Sequence, residues 1–433
     1  MHAFLVCFNP LCRAKYTLSD VIYQCPACGG LLEVDYDWDT ASTASWKELW
    51  RERRMNNAPR DQSGVWRYRE LLPFDDSDPV ITLREGATPL LSAPHAAQYA
   101  GVDALTFKHQ GFNPTGSFKD NGMTCGVTQA LRLNRRVVAC VSTGNTSASM
   151  AAYASAAGLK PVIFLPAGNI AFGKLAQALE YGAITLQVEA NFDQILALVR
   201  QVADTAGVYL LNSINPFRIE GQKTMAVEMA DQLDWDVPDW VVMPGGNLGN
   251  ASAFGKGFLE LYRLGLIKRL PRIAVVQAAG SAPFHRFVHE GGAFEPVTAP
   301  ATLATAIRIG DPVSWPKAQS VIEKTNGVVE KATEQEIADA KAVIGRSGIG
   351  CEPASAATLA GIKKLVAAKV IDREDRIVAV LTGNLMKDSD YIYRYHTGAL
   401  KTPAGEPIRS TFGNAPQTVA NDADQVIKLL NAI

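Results

Sequence analysis

The chain has 433 residues, of which 47% are hydrophobic and 20% charged, and its formal net charge is −1 at pH 7. This length suffices for two or three domains, and the balanced charge argues against nucleic acid or a membrane surface as partner. No apolar run reaches the roughly 18 residues that span a bilayer, and the first residues lack the pattern of a signal peptide. We therefore expect a globular protein of the cytoplasm.

Four of the seven cysteines lie within residues 1–36, as Cys7-x4-Cys12 and Cys25-x2-Cys28. Two cysteine pairs on short turns are typical of a four-thiolate zinc ribbon. The second pair is followed by two glycines and fits such a turn, whereas the first pair is wider than the usual two-residue spacing. A zinc site and a metal-free ribbon therefore both stay open, with these four cysteines as the candidate ligands.

The stretch 111–123 (GFNPTGSFKDNGM) carries a lysine at the junction between a loop and a helix. Turn-forming residues open the stretch, Ser117 is a good N-cap, and the pattern is helical over 123–133. An amine at such a junction is partly desolvated and lies near a positive helix end, and both effects lower its pKa. Lys119 is therefore a candidate for Schiff-base formation, and the plainer alternative is a surface lysine.

The run 136–141 predicts a β-strand, which a hydroxyl-rich turn at 142–149 and an alanine-rich helix ending at Gly158 follow. A strand, a turn and a helix N-terminus in this order form an anion site, although a plain helix cap has the same pattern. Strands and helices then alternate over 161–165, 171–181, 183–188 and 192–206. This alternation predicts an α/β fold with parallel, doubly wound sheets.

Arg218 is the candidate anion ligand of the segment 212–224 (NSINPFRIEGQKT). A guanidinium binds a phosphate dianion through two parallel hydrogen bonds. The alternative is an arginine at a helix start that pairs with Glu220 or with another carboxylate.

A glycine-rich loop ends the predicted strand in 240–250 (WVVMPGGNLGN), and a helix follows from about Ala251. Glycines let backbone N–H groups approach an anion closely, and the helix dipole adds to the attraction. Further strands are predicted at 272–277 and 377–383. Thr382 falls at the C-terminal end of the last one, where ligands bind in open α/β sheets.

These segments together resemble the fold-type II pyridoxal phosphate enzymes, and within them the threonine synthases. The resemblance extends over nearly the whole chain, including 64–73 and a loop at 305–314. Its motifs are EGATPL at 85–90, NPTGSFKD at 113–120, STGNT at 142–146, NSINPFRIEGQKT at 212–224 and the loop within 240–250. Two departures place the chain in a subgroup: Asn384-Leu385 where the family often has His-Gly, and Asn121 where many relatives carry Arg or Leu.

The resemblance implies a role for each candidate residue. Lys119 would hold pyridoxal 5′-phosphate and then act as the proton shuttle. Asn145 would bind the phenolic oxygen of the cofactor, and Thr382 would face its pyridine nitrogen. The cofactor phosphate would be held by Gly246, Asn247, Leu248, Gly249 and Asn250. The substrate phosphate would be held by Ser142, Thr143, Asn212, Ser213 and Arg218.

The implied reaction converts O-phospho-L-homoserine to L-threonine by γ-elimination of phosphate and β-addition of water. Alternatives of the same fold are a cysteate synthase-like enzyme and a threonine or serine dehydratase. A non-catalytic regulatory relative is the alternative from a different class. A nucleotide-binding protein is disfavoured because no acidic residue stands where a ribose would need one.

The implied architecture is a cysteine-rich, zinc-ribbon-like segment at 1–36 and two doubly wound parallel-sheet domains. The large, cofactor-binding domain would comprise 37–110 and 210–433, and the small domain 111–209. The family is usually dimeric, so we expect a homodimer. The tail from about Lys401, with a helical pattern at 422–433, is interpreted as an extension that packs on the surface or on another subunit.

Overall fold

The computed structural model describes residues 2–38, 40–167, 172–190 and 192–432. The β-strands are, in chain order, β1 (His2–Cys7), β2 (Lys15–Tyr16), β3 (Leu32–Asp37), β4 (Leu90–Ser92), β5 (Leu105–His109), β6 (Val137–Val141), β7 (Lys160–Pro166), β8 (Ile184–Val188), β9 (Val208–Leu210), β10 (Trp240–Pro244), β11 (Arg272–Ala278), β12 (Val328–Ala332) and β13 (Ile377–Leu381).

The α-helices are α1 (Trp46–Arg54), α2 (Pro59–Gln62), α3 (Pro94–Ala100), α4 (Lys119–Arg132), α5 (Asn145–Ala156), α6 (Phe172–Glu180), α7 (Phe192–Ala206), α8 (Pro216–Gln232), α9 (Gly249–Arg263), α10 (Pro283–Glu290), α11 (Trp315–Lys324), α12 (Glu334–Arg346), α13 (Pro353–Ala367), α14 (Ser389–His396) and α15 (Ala423–Leu430). Within the described residues, no helix has both the length and the apolar character needed to cross a bilayer.

The N-terminal segment is a small antiparallel sheet in the order β2-β1-β3. Leu5, Val34 and Tyr36 point from this sheet into an apolar cluster with Trp66 and Phe217, which belong to the rest of the chain. The predicted ribbon-like segment is therefore confirmed, and it packs on the body of the protein.

The large sheet has the strand order β12-β11-β10-β13-β5-β4. Its strands are parallel except for β4, which is antiparallel to β5. Successive residues of β10 enter different clusters: Val242 packs with residues of α12 and α13, whereas Val241 and Met243 pack with residues of α8 and α9. Helices thus cover both faces, as in the doubly wound sheet that the alternation predicts.

The small sheet has the order β8-β7-β6-β9, with all strands parallel. Val138 and Cys140 of β6 face a cluster with α5, and Ala139 and Val141 face a cluster with α7. The strand β9 was not among the strands expected from the sequence, because its three residues are too few to show a period. The domain boundaries at 110/111 and 209/210 stay a prediction.

Glycines allow α4 to pack closely on α8. A Cβ on Gly221 of α8 would lie 1.9 Å from the carbonyl oxygen of Asn121, and a Cβ on Gly122 of α4 would lie 2.6 Å from the carbonyl oxygen of Arg218. The backbones of the two helices are therefore in direct contact. This contact brings the lysine segment beside the arginine segment.

Two helix starts differ by one or two residues from expectation. Helix α4 begins at Lys119, at the expected junction between loop and helix, but its N-cap residue is Phe118 rather than Ser117. The backbone of Ser117 pairs with Gly383 instead of opening the helix, and the Ser117 hydroxyl is buried without a hydrogen-bond partner among the described residues. Helix α9 likewise starts at Gly249, two residues earlier than expected.

The C-terminal helix α15 is exposed along its whole length. Its apolar side chains, such as Ile427 and Leu430, are 52% and 64% exposed. The tail therefore does not bury this helix on its own chain, and packing on another subunit stays a prediction.

Candidate active site

Strands β5, β10 and β13 are neighbours in a parallel arrangement, so their carboxyl ends meet at one edge of the large sheet. The lysine segment follows β5, the glycine loop follows β10, and Thr382 follows β13. The backbone N–H of Phe118 donates to the carbonyl of Thr382 at 3.0 Å. Phe118 and Leu248 also share one apolar cluster. The fold thus brings together segments that lie far apart in the sequence.

Lys119 is half-buried at the first position of α4, with Nζ 4.3 Å from the centroid of the Phe118 ring. Burial among protein atoms and, to a smaller extent, the nearby Arg218 cation lower the pKa of Lys119 to about 7, against the opposing effect of Glu352. A large fraction of this amine is therefore neutral near pH 7, as a nucleophile or a base requires.

The glycine loop presents a row of backbone donors. Leu248 has a left-handed φ of 62° and directly precedes α9. In the part of the chain that the structure describes, no protein acceptor binds the backbone N–H groups of Gly246, Asn247, Leu248, Gly249 and Asn250. Largely buried N–H groups at a helix N-terminus are the arrangement that a phosphate satisfies.

The side chains of this loop hold its shape. Asn247 accepts from the Val313 backbone N–H at 2.9 Å, and Asn250 donates to the Pro244 carbonyl at 2.8 Å. A Cβ on Gly246 would lie 3.0 Å from the Ala306 carbonyl oxygen. The loop at 305–314, which the sequence analysis left without a role, therefore packs on the glycine loop and restricts this position to glycine.

Arg218 is the least satisfied charged group of the site. The residue is 1% exposed, and its Nη1 donates to the Leu211 carbonyl at 3.0 Å. Among the described residues, Nε and Nη2 have no hydrogen-bond partner. Burial lowers the pKa of Arg218 to about 10, so the side chain is still charged near neutral pH. Burying two nitrogen atoms of a cation without a carboxylate partner costs folding free energy unless an anion binds there.

The alternative partner of Arg218 is occupied elsewhere. Glu220 forms ion pairs with Lys223 at 2.6 Å and with Lys256. The interpretation of Arg218 as one half of a Glu220 ion pair is therefore wrong.

The other residues expected at the substrate phosphate surround the start of α8 and α5. The side chain of Asn212 is hydrogen-bonded to both backbone groups of Val141, at 3.2 and 3.3 Å. Ser213 Oγ accepts from Asn247 at 3.2 Å, which links this group to the glycine loop. Ser142 Oγ accepts from the Gly144 backbone N–H at 3.2 Å, and Thr143 is exposed. Their proposed contacts to phosphate stay a prediction.

Glu352 is a site residue that the sequence analysis did not select. It directly precedes α13, and its carboxylate accepts from Asn145 at 3.0 Å and from Thr382 at 3.2 Å. Burial raises its pKa, and these hydrogen bonds oppose that rise. The sequence feature that could have identified Glu352 is its position directly before the proline that starts α13.

Asn384 and Lys387, on the loop after β13, hold the lysine segment from its other side. The Asn384 backbone N–H donates to the Gly116 carbonyl at 2.9 Å, and its side chain donates to the Gly111 carbonyl at 3.3 Å. Lys387 donates to Gln177, whose side chain donates to the Thr115 carbonyl at 3.3 Å. Asn384, which differs from the residue that the family often has here, therefore stabilises the lysine segment. None of the contacts assigned to cofactor or substrate depends on this position.

The residues at this edge fit pyridoxal phosphate. An amine with a lowered pKa, a row of free N–H groups for a phosphate, and the side chains of Asn145 and Thr382 meet at one place. The buried Arg218 provides for a second anion beside them. The four N-terminal cysteines form a separate cluster on the ribbon.

Comparisons with known proteins agree with this geometry. A sequence profile described as "Pyridoxal-phosphate dependent enzyme" matches residues 81–383. Threonine synthase of Methanocaldococcus jannaschii is 47% identical over 385 residues, which cover 88% of this chain and 93% of that protein. Threonine synthase of Methanosarcina acetivorans is 48% identical over 379 residues, which cover 87% and 91%.

Solved structures show the same fold at low sequence identity. Diaminopropionate ammonia lyase of Escherichia coli is 16% identical with a TM-score of 0.62, and the match covers 80% of this chain and 90% of that one. Threonine deaminase isoform 2 of Solanum lycopersicum is 19% identical with a TM-score of 0.59, and the match covers 70% and 86%.

Proposed function

This chain belongs to the pyridoxal-phosphate dependent enzymes, and within them to the threonine synthases, and from that membership we propose how its residues act. The enzyme is a pyridoxal phosphate-dependent lyase that forms threonine. Its substrate is a small molecule, for which we propose O-phospho-L-homoserine. When bound, pyridoxal phosphate supplies the electron sink for carbanion chemistry at the α- and β-carbons.

The observation that carries the choice of substrate is the buried Arg218 guanidinium with two unpaired nitrogen atoms. An unphosphorylated amino acid, the substrate of a dehydratase, carries a single anionic group, its α-carboxylate, and offers no second anion for this cation. A phosphate ester does, because its oxygens accept the parallel hydrogen bonds of a guanidinium. We assign Ser142, Thr143, Asn212 and Ser213 to the same phosphate.

Lys119 holds the cofactor and moves protons. We assign the cofactor phosphate to the backbone of 246–250, the phenolic oxygen to Asn145 and the pyridine nitrogen to Thr382. The Lys119 amine takes the α proton of the substrate, releases it, and then, neutral again, takes one β proton; its lowered pKa permits both the uptake and the release near neutral pH. The Cγ–O bond breaks, and phosphate leaves. Water supplies the hydroxyl of the β-carbon, and protons return to the γ- and α-carbons.

The phosphate that leaves stays beside Arg218 and assists the attacking water as a general base. The buried Arg218 cation favours retention of the phosphate dianion by charge and by hydrogen bonds. We further propose a cytoplasmic homodimer with the domain division given by the sequence analysis.

The test is the release of phosphate from O-phosphohomoserine by the purified, cofactor-loaded enzyme, with identification of the amino-acid product. Threonine and phosphate in equal amounts are expected. O-phosphoserine, which is one carbon shorter, tests the cysteate synthase-like alternative, and unphosphorylated serine and threonine test the dehydratase alternative. A higher kcat/KM for any of these than for O-phosphohomoserine would refute the assigned substrate.

A further inference from the structure

The four ribbon cysteines have the geometry of a tetrahedral thiolate site. Their Sγ atoms all lie within 4.8 Å of one another, with Cys7 to Cys28 at 3.4 Å and Cys12 to Cys25 at 3.7 Å. Four sulfurs at about 2.3 Å from one Zn²⁺ are about 3.8 Å apart. Both short contacts join one turn to the other turn, so all four sulfurs converge on one point.

The backbone around these sulfurs forms the two turns of a metal ribbon. The Gly29 N–H donates to the Cys25 carbonyl at 2.8 Å, and the Cys12 N–H donates to the Asn9 carbonyl at 3.0 Å. The Tyr16 hydroxyl lies 3.1 Å from Cys25 Sγ. A polar hydrogen directed at a sulfur is the outer support that thiolate ligands of metals commonly have.

The tip of the ribbon has little else to stabilise it. The apolar cluster there consists of Cys7, Cys25 and Leu32, with only partly buried neighbours. Because the tip has so small a core of its own, a metal bound by the four sulfurs would hold its two turns together.

Strand β3, which begins just after the second turn, is anchored to helices α9 and α11. Gly30, between the second turn and β3, packs directly against the cysteine sulfurs, since a Cβ there would lie 3.2 Å from the sulfurs of both Cys7 and Cys28. The Val34 carbonyl accepts from Lys256 of α9, and the Leu32 carbonyl accepts from Lys317 of α11 at 2.7 Å.

A buried charge network continues this connection. The Tyr36 hydroxyl of β3 donates to Glu220 of α8, which also pairs with Lys223 and Lys256. Lys223 pairs in turn with Glu260 of α9 at 2.7 Å. Glu220 lies two residues after Arg218, and α9 begins in the glycine loop. The ribbon therefore contacts the two helices whose N-terminal ends are assigned to the two phosphates.

We propose that Cys7, Cys12, Cys25 and Cys28 bind one Zn²⁺ and that this ion, through β3, positions the N-terminal ends of α8 and α9. The metal site stands on the cysteine geometry alone, and its positioning role rests on the proposed function of Arg218. The ion takes no part in the reaction. Its loss acts on phosphate binding, because the network that orients α8 and α9 loses its anchor.

Metal analysis of the purified full-length enzyme tests the site. About one zinc per chain is expected, with the Cys7→Ser and Cys28→Ser variants depleted at least tenfold. Cys140→Ser, a cysteine outside the ribbon, is the matched control and should keep its zinc. A zinc-free parent protein after growth in zinc-supplemented medium, iron in place of zinc, or two disulfides in place of four thiols would overturn the site.

Phosphate affinity of the cofactor-loaded enzyme tests the positioning role without turnover. Inorganic phosphate is titrated against the parent enzyme, chelator-stripped enzyme, stripped enzyme with zinc restored, and the Arg218→Ala variant. We expect stripping to weaken phosphate binding at least threefold and zinc to restore it. Unchanged affinity in stripped protein that circular dichroism shows to be folded would overturn the positioning role. Equal binding by Arg218→Ala would refute the proposed function instead, and it would leave the metal site standing.

Discussion

The side-chain amide of Asn145 donates a hydrogen bond to Glu352 Oε2 at 3.0 Å, although 207 positions separate the two residues in the chain. Asn145 begins α5 beside the small sheet, and Glu352 precedes α13 beside the large sheet. The same carboxylate accepts from Thr382. One buried acid thus fixes the two side chains assigned to the cofactor ring, and it raises the pKa of the neighbouring Lys119.

The first prediction concerns the pH dependence of Lys119. In cofactor-free enzyme, the rate of pyridoxal phosphate capture should rise with pH and reach half its maximum near pH 7, because only the neutral amine reacts and its pKa is about 7. Rapid-mixing absorbance measurements give this midpoint.

Two variants shift that midpoint in opposite directions. Arg218→Gln removes a cation that lowers the pKa of Lys119, so the midpoint should move to higher pH. Glu352→Gln removes an anion that raises the pKa, so the midpoint should move to lower pH. A parent midpoint near the ordinary lysine value of 10.5 would contradict the burial of this amine.

The second prediction concerns the identity of the reacting amine. Lys119→Ala should lower kcat by about 10³-fold or more, because it removes both the attachment of the cofactor and the proton shuttle. Phosphate release from O-phosphohomoserine measures the loss. Lys160→Ala, at an exposed position on β7, is the control and should leave kcat unchanged. A yellow and fully active Lys119→Ala enzyme would refute the assignment.

The third prediction concerns the phosphate ligand Arg218. Arg218→Ala should lower kcat/KM by about 10²-fold, because charge-assisted hydrogen bonds to phosphate contribute about 3 kcal/mol. Steady-state phosphate release measures this change, and Arg373→Ala, an exposed arginine paired with Asp103, is the control.

Stability provides a second measurement at the same residue. Arg218→Met should stabilise the phosphate-free fold, because it removes a buried and unpaired charge. Added phosphate should then raise the melting temperature of the parent more than that of the variant. An identical phosphate response in both proteins would mean that Arg218 does not bind the anion.

The fourth prediction concerns the fit of the glycine loop. Gly246→Ala should weaken pyridoxal phosphate binding about tenfold, because a Cβ meets the Ala306 carbonyl at 3.0 Å and shifts the loop. Equilibrium dialysis measures the affinity. Gly345→Ala is the matched control, since its Cβ would meet no atom within 4 Å. It should keep the affinity and gain about 0.5–1 kcal/mol of helix stability.

The fifth prediction concerns Asn384. Asn384→Ala should lower the free energy of unfolding by about 1 kcal/mol, because it removes a helix cap on the Met386 N–H and the hydrogen bond to Gly111. Since Asn384 supports the lysine segment without an assigned role in the reaction, kcat should fall less than tenfold. Denaturant unfolding measures the first effect, with exposed Asn421→Ala as the control. A loss of activity as large as that of Lys119→Ala would assign Asn384 a direct role.

Many local elements could be predicted from the sequence. The helix over Phe192–Ala206 and the strand before the glycine loop agree with expectation because each shows its own period and its own flanking residues. The N-cap residue of α4 could not, because Ser117 pairs with Gly383 from a distant part of the chain, and this contact overrides its preference for an N-cap.

The sequence by itself determined the alternation of strands and helices, the motif around Lys119, the glycine loop and the spacing of the ribbon cysteines. All of these depend on residues within one short segment. Only the tertiary structure decided that Glu220 pairs with lysines and leaves Arg218 for an anion, and that Glu352 joins Asn145 to Thr382. The reason is physical: the partner of a buried charge is chosen by packing between distant segments, and no local period records that choice.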